Sequence, residues 1–130
     1  LSSTIGIEQM RYVKMVLKKN NENGLFFDEE LRKIKDIDVV KRQDNEYNTF
    51  WTYTLLSDKK KLIEKHLNKN KVQCFQVHPR NDKYSIFRKY RKKLPNLDKF
   101  SKREINIPCG WWLTKSDRVK IIKLIKESLN

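Results

Sequence analysis

One stretch constrains the fold more than any other. Apart from Asn48, every residue in 47–56 is aromatic, β-branched or leucine, a composition that favours a β-strand. Alternation along a strand divides the side chains between two faces: Phe50, Thr52 and Thr54 on one, and Trp51, Tyr53 and Leu55 on the other. Because both faces carry bulky groups, the pattern predicts a central strand that is covered on both sides.

The amino-terminal part of the sequence has a helical pattern. Apolar residues recur at helical spacing over residues 1–17 and again over 25–34. The intervening residues 18–24 contain three asparagines and Gly24, and because Asn and Gly are poor helix residues, the segment is locally a breaker. These local signals leave open whether the region is one long helix or two. Since the chain begins at Leu1 inside this pattern, we expect it to be part of a longer product.

Further elements follow in a regular order. Short strands are predicted at 37–40 and 72–77, and an extended segment at 105–108. Residues 78–95 are expected to form a long loop with one helical turn around Tyr84 to Arg91, followed by a short helix that starts at Asn96 or Asp98 and runs through Lys102. A helix capped by Ser57 and Asp58 is expected to bury Leu62, Ile63 and Leu67. The last helix begins at Thr114, which has capping-box spacing to Asp117. Its predicted apolar face consists of Val119, Ile121, Ile122, Leu124 and Ile125. The 130 residues suit a single domain without repeats.

Charge and composition restrict the function classes. The net charge of +14 favours polyanions, yet the excess is mostly lysine spread along the chain, which is also what A/T-rich codons produce. A stand-alone basic nucleic-acid-binding module, using residues 88–93 and exposed aromatic residues, therefore remains the alternative hypothesis. Cys74 and Cys109 have no metal-ligand spacing, so no metal is expected. No apolar run or leader predicts a membrane span or export, so we expect a cytoplasmic protein.

Two segments carry candidate binding chemistry. The loop after the 72–77 strand opens with His78-Pro79-Arg80-Asn81-Asp82-Lys83-Tyr84. Strand ends hold binding groups rigidly, and the Arg80 fork suits phosphate or carboxylate. The competing interpretation is a polar turn in which Asp82 pairs with Lys83 or Arg80. The second segment contains Trp111 and Trp112, for which we favour a core plug before the last helix over an interface or a platform beside a ligand.

Four segments, in this order, resemble the DegT/DnrJ family of aminotransferases. They are residues 1–10 with Gly6 and Gln9, 50–55 (Phe-Trp-Thr-Tyr-Thr-Leu), 77–84 (Val-His-Pro-Arg-Asn-Asp-Lys-Tyr) and 107–114 (Ile-Pro-Cys-Gly-Trp-Trp-Leu-Thr). The resemblance covers essentially the whole chain and corresponds to the last third of a family member. It implies a mostly continuous first helix through residues 20–24. It also implies an α+β fold in which strands 48–56 and 72–77 form a small antiparallel sheet of about three strands, backed by helices.

The resemblance also implies a function. Members of the family use pyridoxal phosphate to transfer an amino group to nucleotide-linked keto sugars. For the complete enzyme the resemblance therefore implies an amino-acid donor, a role in cell-surface polysaccharide synthesis and a homodimer. The substrate-binding residues implied at the active-site mouth are His78, Arg80, Asn81, Asp82 and Tyr84, and the supporting residues are Trp51, Trp111 and Trp112. The cofactor lysine lies in the large domain of such enzymes, so residues 1–130 are expected to be the small domain, with no catalytic residue and no activity alone.

Overall fold

The computed structural model describes residues 2–43 and 45–130, so Leu1, which opens the predicted first helix, lies outside the described residues. The described residues form five α-helices and three β-strands, with two 3-10 helical turns between α3 and α4. The elements are α1 Ser2–Met10, α2 Val13–Leu31, β1 Asp38–Val39, β2 Thr52–Leu56, α3 Lys60–Lys69, the turns Asn81–Lys83 and Ser85–Tyr90, α4 Pro95–Arg103, β3 Glu104–Pro108 and α5 Lys115–Leu129.

The three strands form one antiparallel sheet in the order β1-β2-β3, which confirms the central position predicted for β2. Tyr53 lies opposite Ile107, and Leu55 lies opposite Ile105. These four side chains are almost completely buried in a core that α2, α3 and α5 complete. The predicted α+β fold, a small antiparallel sheet with helices packed on it, is therefore confirmed.

The prediction that residues 72–77 form the third strand is wrong, because β3 holds that place. Only Phe75 pairs with the sheet, through two backbone hydrogen bonds to Asn106 of 3.3 and 3.2 Å. The side chain of Asn68, near the end of α3, bonds both the amide and the carbonyl of Cys74 at 3.1 Å. This attachment to α3 holds the segment away from a regular ladder.

The strand predicted over 47–56 is shorter and begins at Thr52. Phe50 has a φ of 36°, in the left-handed region, and its amide donates to the side chain of Asn48 at 2.9 Å. The turn breaks the alternation, so Phe50 is 4% exposed and Trp51 is 69% exposed. Phe50 and Tyr53, which the alternation placed on opposite faces, stack in the core with ring centroids 5.9 Å apart.

The first long helix is continuous through residues 20–24, as the resemblance implied, and the chain breaks instead at residues 11–12. Asn21 donates to the carbonyl of Asn48 at 2.7 Å, and Asn23 donates to that of Gly110 at 2.8 Å. Gly24 lies directly beneath the ring of Phe50. The residues that weaken the helix locally thus tie it to two loops, and these contacts outweigh their low propensity.

The helices α3 and α5 differ from expectation in detail. The helix α3 begins at Lys60, and Ser57 accepts a hydrogen bond from the Lys59 amide at 3.1 Å rather than capping the helix itself. The capping box between Thr114 and Asp117 is present, as predicted. Leu62 and Val119, both expected in the core, are more than half exposed. The buried residues of the two helices are Ile63, Leu67, Ile121, Ile122, Leu124 and Ile125.

A buried carboxylate joins α2 to β2. Asp28 accepts a hydrogen bond from the Tyr53 hydroxyl at 2.6 Å and from Arg42 at 3.3 and 3.4 Å. The Arg42 guanidinium lies 4.8 Å from the centroid of the Phe50 ring. Burial, together with the bond to Asp28, raises the pKa of Tyr53, so its hydroxyl stays protonated and remains the donor.

Replacement of Gly24 tests the close contact between α2 and the ring of Phe50. A methyl group at Gly24 would overlap the buried ring of Phe50, whereas one at Gly6 would meet no atom within 4 Å. We expect Gly24→Ala to lower the free energy of unfolding by about 1–3 kcal/mol. Gly6→Ala should leave it unchanged or raise it by up to about 1 kcal/mol, because alanine is the better helix former. Urea denaturation measures both, and equal values for the two variants would contradict this packing.

Candidate functional site

The loop that starts at His78 is positioned by the sheet beside it. The Asn106 side chain accepts from the Val77 amide at 2.8 Å and donates to the Thr54 hydroxyl at 2.8 Å. Gln76 donates to the buried Glu104 of β3 at 3.0 Å. These bonds attach both residues before His78 to β3, so the loop leaves the sheet at a fixed point.

Trp51 lies beside the start of this loop. Its ring centroid is 5.9 Å from that of His78, with the two planes at 45°. The left-handed turn at Phe50 is what directs the neighbouring Trp51 out of the core and toward the loop. The supporting residue named from the sequence therefore contacts the first of the predicted binding residues.

Arg80 fastens the loop to itself and to α4. Its Nε and Nη2 donate to the two carboxylate oxygens of Asp82 at 2.9 and 2.7 Å, and its Nη1 bonds Asp98. Of the two interpretations that the sequence left open, the structure shows the local pair of Arg80 with Asp82. The guanidinium side chain is only 8% exposed, so the fork that suits an anionic ligand is already engaged by carboxylates.

The electrostatics of the pair follow from this geometry. The hydrogen bonds from Arg80 hold the pKa of Asp82 below its ordinary value. In return, the hydrogen bonds to Asp82 and then to Asp98 raise the pKa of Arg80. Both groups are therefore charged at neutral pH, and the pair acts as a fixed brace.

The rest of the loop is ordered by short-range bonds. The 3-10 turns at Asn81–Lys83 and Ser85–Tyr90 confirm the predicted helical character around residues 84–91. Arg91 closes them by donating to the carbonyls of Asp82 and Lys83, both at 2.7 Å.

A groove of about 630 Å³ separates the loop from α4. His78, Arg80, Asn81 and Asp82 line it, so the structure brings together four of the five predicted binding residues. The fifth, Tyr84, is exposed and is not among the lining residues. The other lining residues are Pro79, Leu94, Leu97, Phe100, Ser101 and Glu104.

The apolar side of the groove was missed in the sequence. Leu94, Leu97 and Phe100 follow one another at intervals of three residues, so they share one face at α4. That spacing is the signal that could have identified them. Combined with the polar loop, they make a site of mixed character, which suits a ligand with both apolar and hydrogen-bonding groups.

The two adjacent tryptophans do not plug the core, so that prediction is wrong. Trp111 is 49% exposed and Trp112 is 60% exposed, and their rings meet edge to face at 6.2 Å. Cys109 and Leu113, on either side of them, contribute to the core instead. The ring of Trp112 folds back onto Gly110, where a larger residue would overlap it. Neither tryptophan lines the groove.

Other reactive groups within residues 2–43 and 45–130 do not build a catalytic centre. No group of three or more His, Cys, Asp or Glu side chains could hold a metal ion there. Burial raises the pKa of Cys74 to about 11 and that of Cys109 to about 12, so both are unreactive thiols, as expected. No helix in the described part of the chain combines the length and the apolar character needed to cross a membrane.

The cofactor implied by the resemblance can be tested against the lysines. A lysine that forms a Schiff base with pyridoxal phosphate is held inside a pocket, where its neighbours lower its pKa. Within the described ranges no lysine is buried. The residues present therefore do not fit a complete pyridoxal phosphate site.

The Arg80 brace can be tested by titration. We expect Arg80→Gln to raise the pKa of Asp82 toward its ordinary value and to speed amide exchange over residues 81–91. Because the pKa of Asp82 is lowered in the folded protein, the brace contributes at neutral pH and is lost as the pH falls through that lowered pKa. NMR titration of the Asp82 carboxyl measures the shift. Arg80→Lys should restore only part of it, since an ammonium cannot make the paired bonds. An unchanged Asp82 pKa in Arg80→Gln would contradict the brace.

Known proteins share this sequence pattern and this fold. The sequence model described as the DegT/DnrJ/EryC1/StrS aminotransferase family matches residues 1–126. The sugar aminotransferase CalS13 from Micromonospora echinospora is 32% identical, with a TM-score of 0.91, over 95% of this chain and 33% of that one. AtS13 from Actinomadura melliaura is 28% identical, with a TM-score of 0.91 and the same coverage, 95% and 33%.

A more distant protein has the same fold. Helicobacter pylori PseC, an aminotransferase involved in the biosynthesis of pseudoaminic acid, is 18% identical, with a TM-score of 0.86, over 97% of this chain and 36% of that one. No curated protein sequence matches the chain. The chain spans about a third of the length of the solved structures that it matches.

Proposed function

This chain belongs to the DegT/DnrJ/EryC1/StrS aminotransferase family, and we propose that it is the carboxyl-terminal small domain of a sugar aminotransferase whose cofactor-binding large domain lies outside it. One observation carries the proposal: CalS13 matches 95% of this chain, but the match accounts for only 33% of CalS13. A chain that matches a longer relative over nearly its own whole length, but over only a third of the relative, corresponds in size to one domain of it.

The uncovered surface of α1 supports the domain assignment. None of its residues is buried, and Ile5, Ile7 and Met10 are each more than half exposed. A helix that shows apolar side chains on every turn to solvent is normally covered by another part of the protein. In the proposed enzyme this part is the large domain, to which α1 would be the connection.

We further propose that the groove beside the loop forms the substrate-facing wall. His78, Asn81 and Asp82 present an imidazole, an amide and a carboxylate there, groups that can hydrogen-bond a nucleotide-linked keto sugar. Arg80 holds Asp82 in place through paired hydrogen bonds, and the ring of Trp51 lies beside that of His78. Tyr84, Trp111 and Trp112 are exposed and available for contacts with the rest of the enzyme.

The chemistry of the proposed enzyme comes from outside this chain. Pyridoxal phosphate supplies the electron sink for transamination in the full-length protein, with an amino acid as donor. The residues of this chain bind and orient the sugar. We propose that the complete enzyme is a homodimer that acts in the synthesis of cell-surface polysaccharide.

A second candidate, nucleic-acid binding, is favoured by one feature of the loop. Tyr90 is exposed, and the Lys89 Nζ lies 5.0 Å from its ring centroid. Further basic residues follow at 91–93. Aromatic and basic groups together are typical of single-strand binding. The guanidinium of Arg91, however, is bonded to two carbonyls within the loop, so it is not free for a phosphate.

Transamination by a chimera tests the proposed function. The chain alone should show no transamination of a nucleotide-linked keto sugar, whereas CalS13 with its matching third replaced by this chain should show it. In the chimera, Asn81→Ala should lower kcat/KM by about tenfold, the effect of losing one substrate hydrogen bond of about 1.4 kcal/mol. The exposed Asn45→Ala, outside the groove, is the matched control.

The contrary results are equally clear. A folded chimera without activity, or a chimera in which Asn81→Ala and Asn45→Ala have the same kcat/KM, would refute the substrate-facing role. Recovery of the DNA upstream of Leu1 provides the genetic check, since an in-frame large domain with a cofactor lysine is expected there.

A further inference from the structure

Residues 83–100, which we call the arm, combine regular structure with a surface that is exposed along its whole length. Every residue of the arm is exposed to solvent, although it contains the Ser85–Tyr90 turn and the first part of α4. Exposure of large apolar groups on this scale is rare for a surface that faces water alone. The large apolar side chains exposed in the arm are Tyr84, Ile86, Phe87, Tyr90, Leu94, Leu97 and Phe100.

Polar bonds, and not burial, hold the arm in shape. Arg91 donates to two carbonyls at the start of the loop, and Arg80 bonds Asp98 of α4. The Asp98 amide donates to the Leu94 carbonyl at 2.9 Å. The arm is therefore pre-ordered without using its apolar side chains, which leaves them available for a partner at a small entropic cost.

The charge of the arm determines the charge of its partner. Its basic residues are Lys83, Arg88, Lys89, Arg91, Lys92, Lys93 and Lys99, and its acidic residue is Asp98, so seven positive charges minus one negative charge give +6. These 130 residues carry +14, so the arm would be repelled by the same 130 residues of the second subunit in the proposed homodimer. The complementary surface is acidic.

The aliphatic residues distinguish a protein partner from a nucleic acid. Ile86 is 75% exposed, and Leu94 and Leu97 are exposed as well. Nucleic acids contact proteins through phosphates and through bases that stack on aromatic rings, and neither covers branched aliphatic groups well. An interface whose centre is apolar and whose rim is charged is typical of protein partners.

The structural relatives indicate which protein surface the arm binds. The match to CalS13 leaves 5% of this chain unmatched, about 7 of 130 residues, which is fewer than the 18 residues of the arm. At least part of the arm therefore belongs to the shared fold. In CalS13 that fold occurs together with the remaining two-thirds of a longer chain.

We propose that the arm docks on an acidic surface with apolar patches in the amino-terminal two-thirds of the enzyme. This inference rests on the proposed function and adds to it a specific contact surface and the chemistry of its partner. Because Leu94, Leu97 and Phe100 also line the groove, the docked domain supplies its opposite wall. The substrate site is then completed by the same contact that covers the arm.

The test titrates the amino-terminal two-thirds of CalS13 with this chain and measures the dissociation constant of the complex. Ile86→Glu and Leu97→Glu place a charge in the arm, and each should weaken binding at least tenfold. Leu62→Glu introduces the same charge at an exposed leucine of α3 and should bind as the unaltered chain does. Thermal unfolding of the three variants confirms that the fold is intact.

The outcomes separate this inference from the proposed function. If the chain binds and the arm variants bind equally well, docking through the arm is refuted while the proposed function stands. If the unaltered chain does not bind a folded amino-terminal part, docking is refuted, and the activity of the chimera decides the proposed function independently. A second measurement compares amide exchange of residues 83–100 in the isolated chain and in the CalS13 chimera. Slower exchange in the chimera is expected, and equal exchange would also refute the docking.

Discussion

The contact between α2 and the turn before β2 is the constraint on which the other features depend. Gly24 leaves room for the Phe50 ring, and Asp28 binds the Tyr53 hydroxyl four residues further along the helix. An apolar contact and a buried hydrogen bond thus set both the position and the direction of β2. Since β2 is the central strand, errors at this junction would displace both of its neighbours. One additional methylene group is enough to lower the stability of such a close-packed contact.

The candidate site follows from this junction through a short series of contacts. The strand β2 positions β3, and Asn106 of β3 bonds Thr54 on one side and the Val77 amide on the other. His78 comes next, beside the tryptophan that the same turn directs outward. Buried polar bonds of this kind are costly to leave unpaired, so they fix a geometry more strictly than apolar packing does. The side of the groove formed by residues 78–82 is consequently attached to the sheet, although these residues belong to a loop.

The molecule has a completed core on one side and an uncovered surface on the other. The face of the sheet with Tyr53 and Leu55 is sealed by three helices, whereas α1 and the arm present apolar groups to solvent. A stable core together with uncovered apolar elements is what a domain of a larger enzyme requires. This asymmetry is consistent with the proposed role as one domain of a larger enzyme of this family, because the groove lies next to the uncovered surface.

The sequence by itself determined the elements whose signals are local. The Thr114 capping box and the central strand depend on neighbours only a few positions apart. The loop after residue 77 is equally local, and four of its five predicted binding residues do meet in one groove. Tertiary structure alone decided what depends on distant partners. The bonds from Asn68 leave residues 72–77 with only one bridge to the sheet instead of a regular strand. A left-handed turn exchanged the positions of Phe50 and Trp51, and the core is filled without Trp111. The pair of Arg80 with Asp82, two positions away, was one of the two interpretations that the sequence offered, whereas the second partner, Asp98, is 18 positions away and was not foreseen. Periodicity cannot register such contacts, since they arise only when the folded chain brings remote groups together.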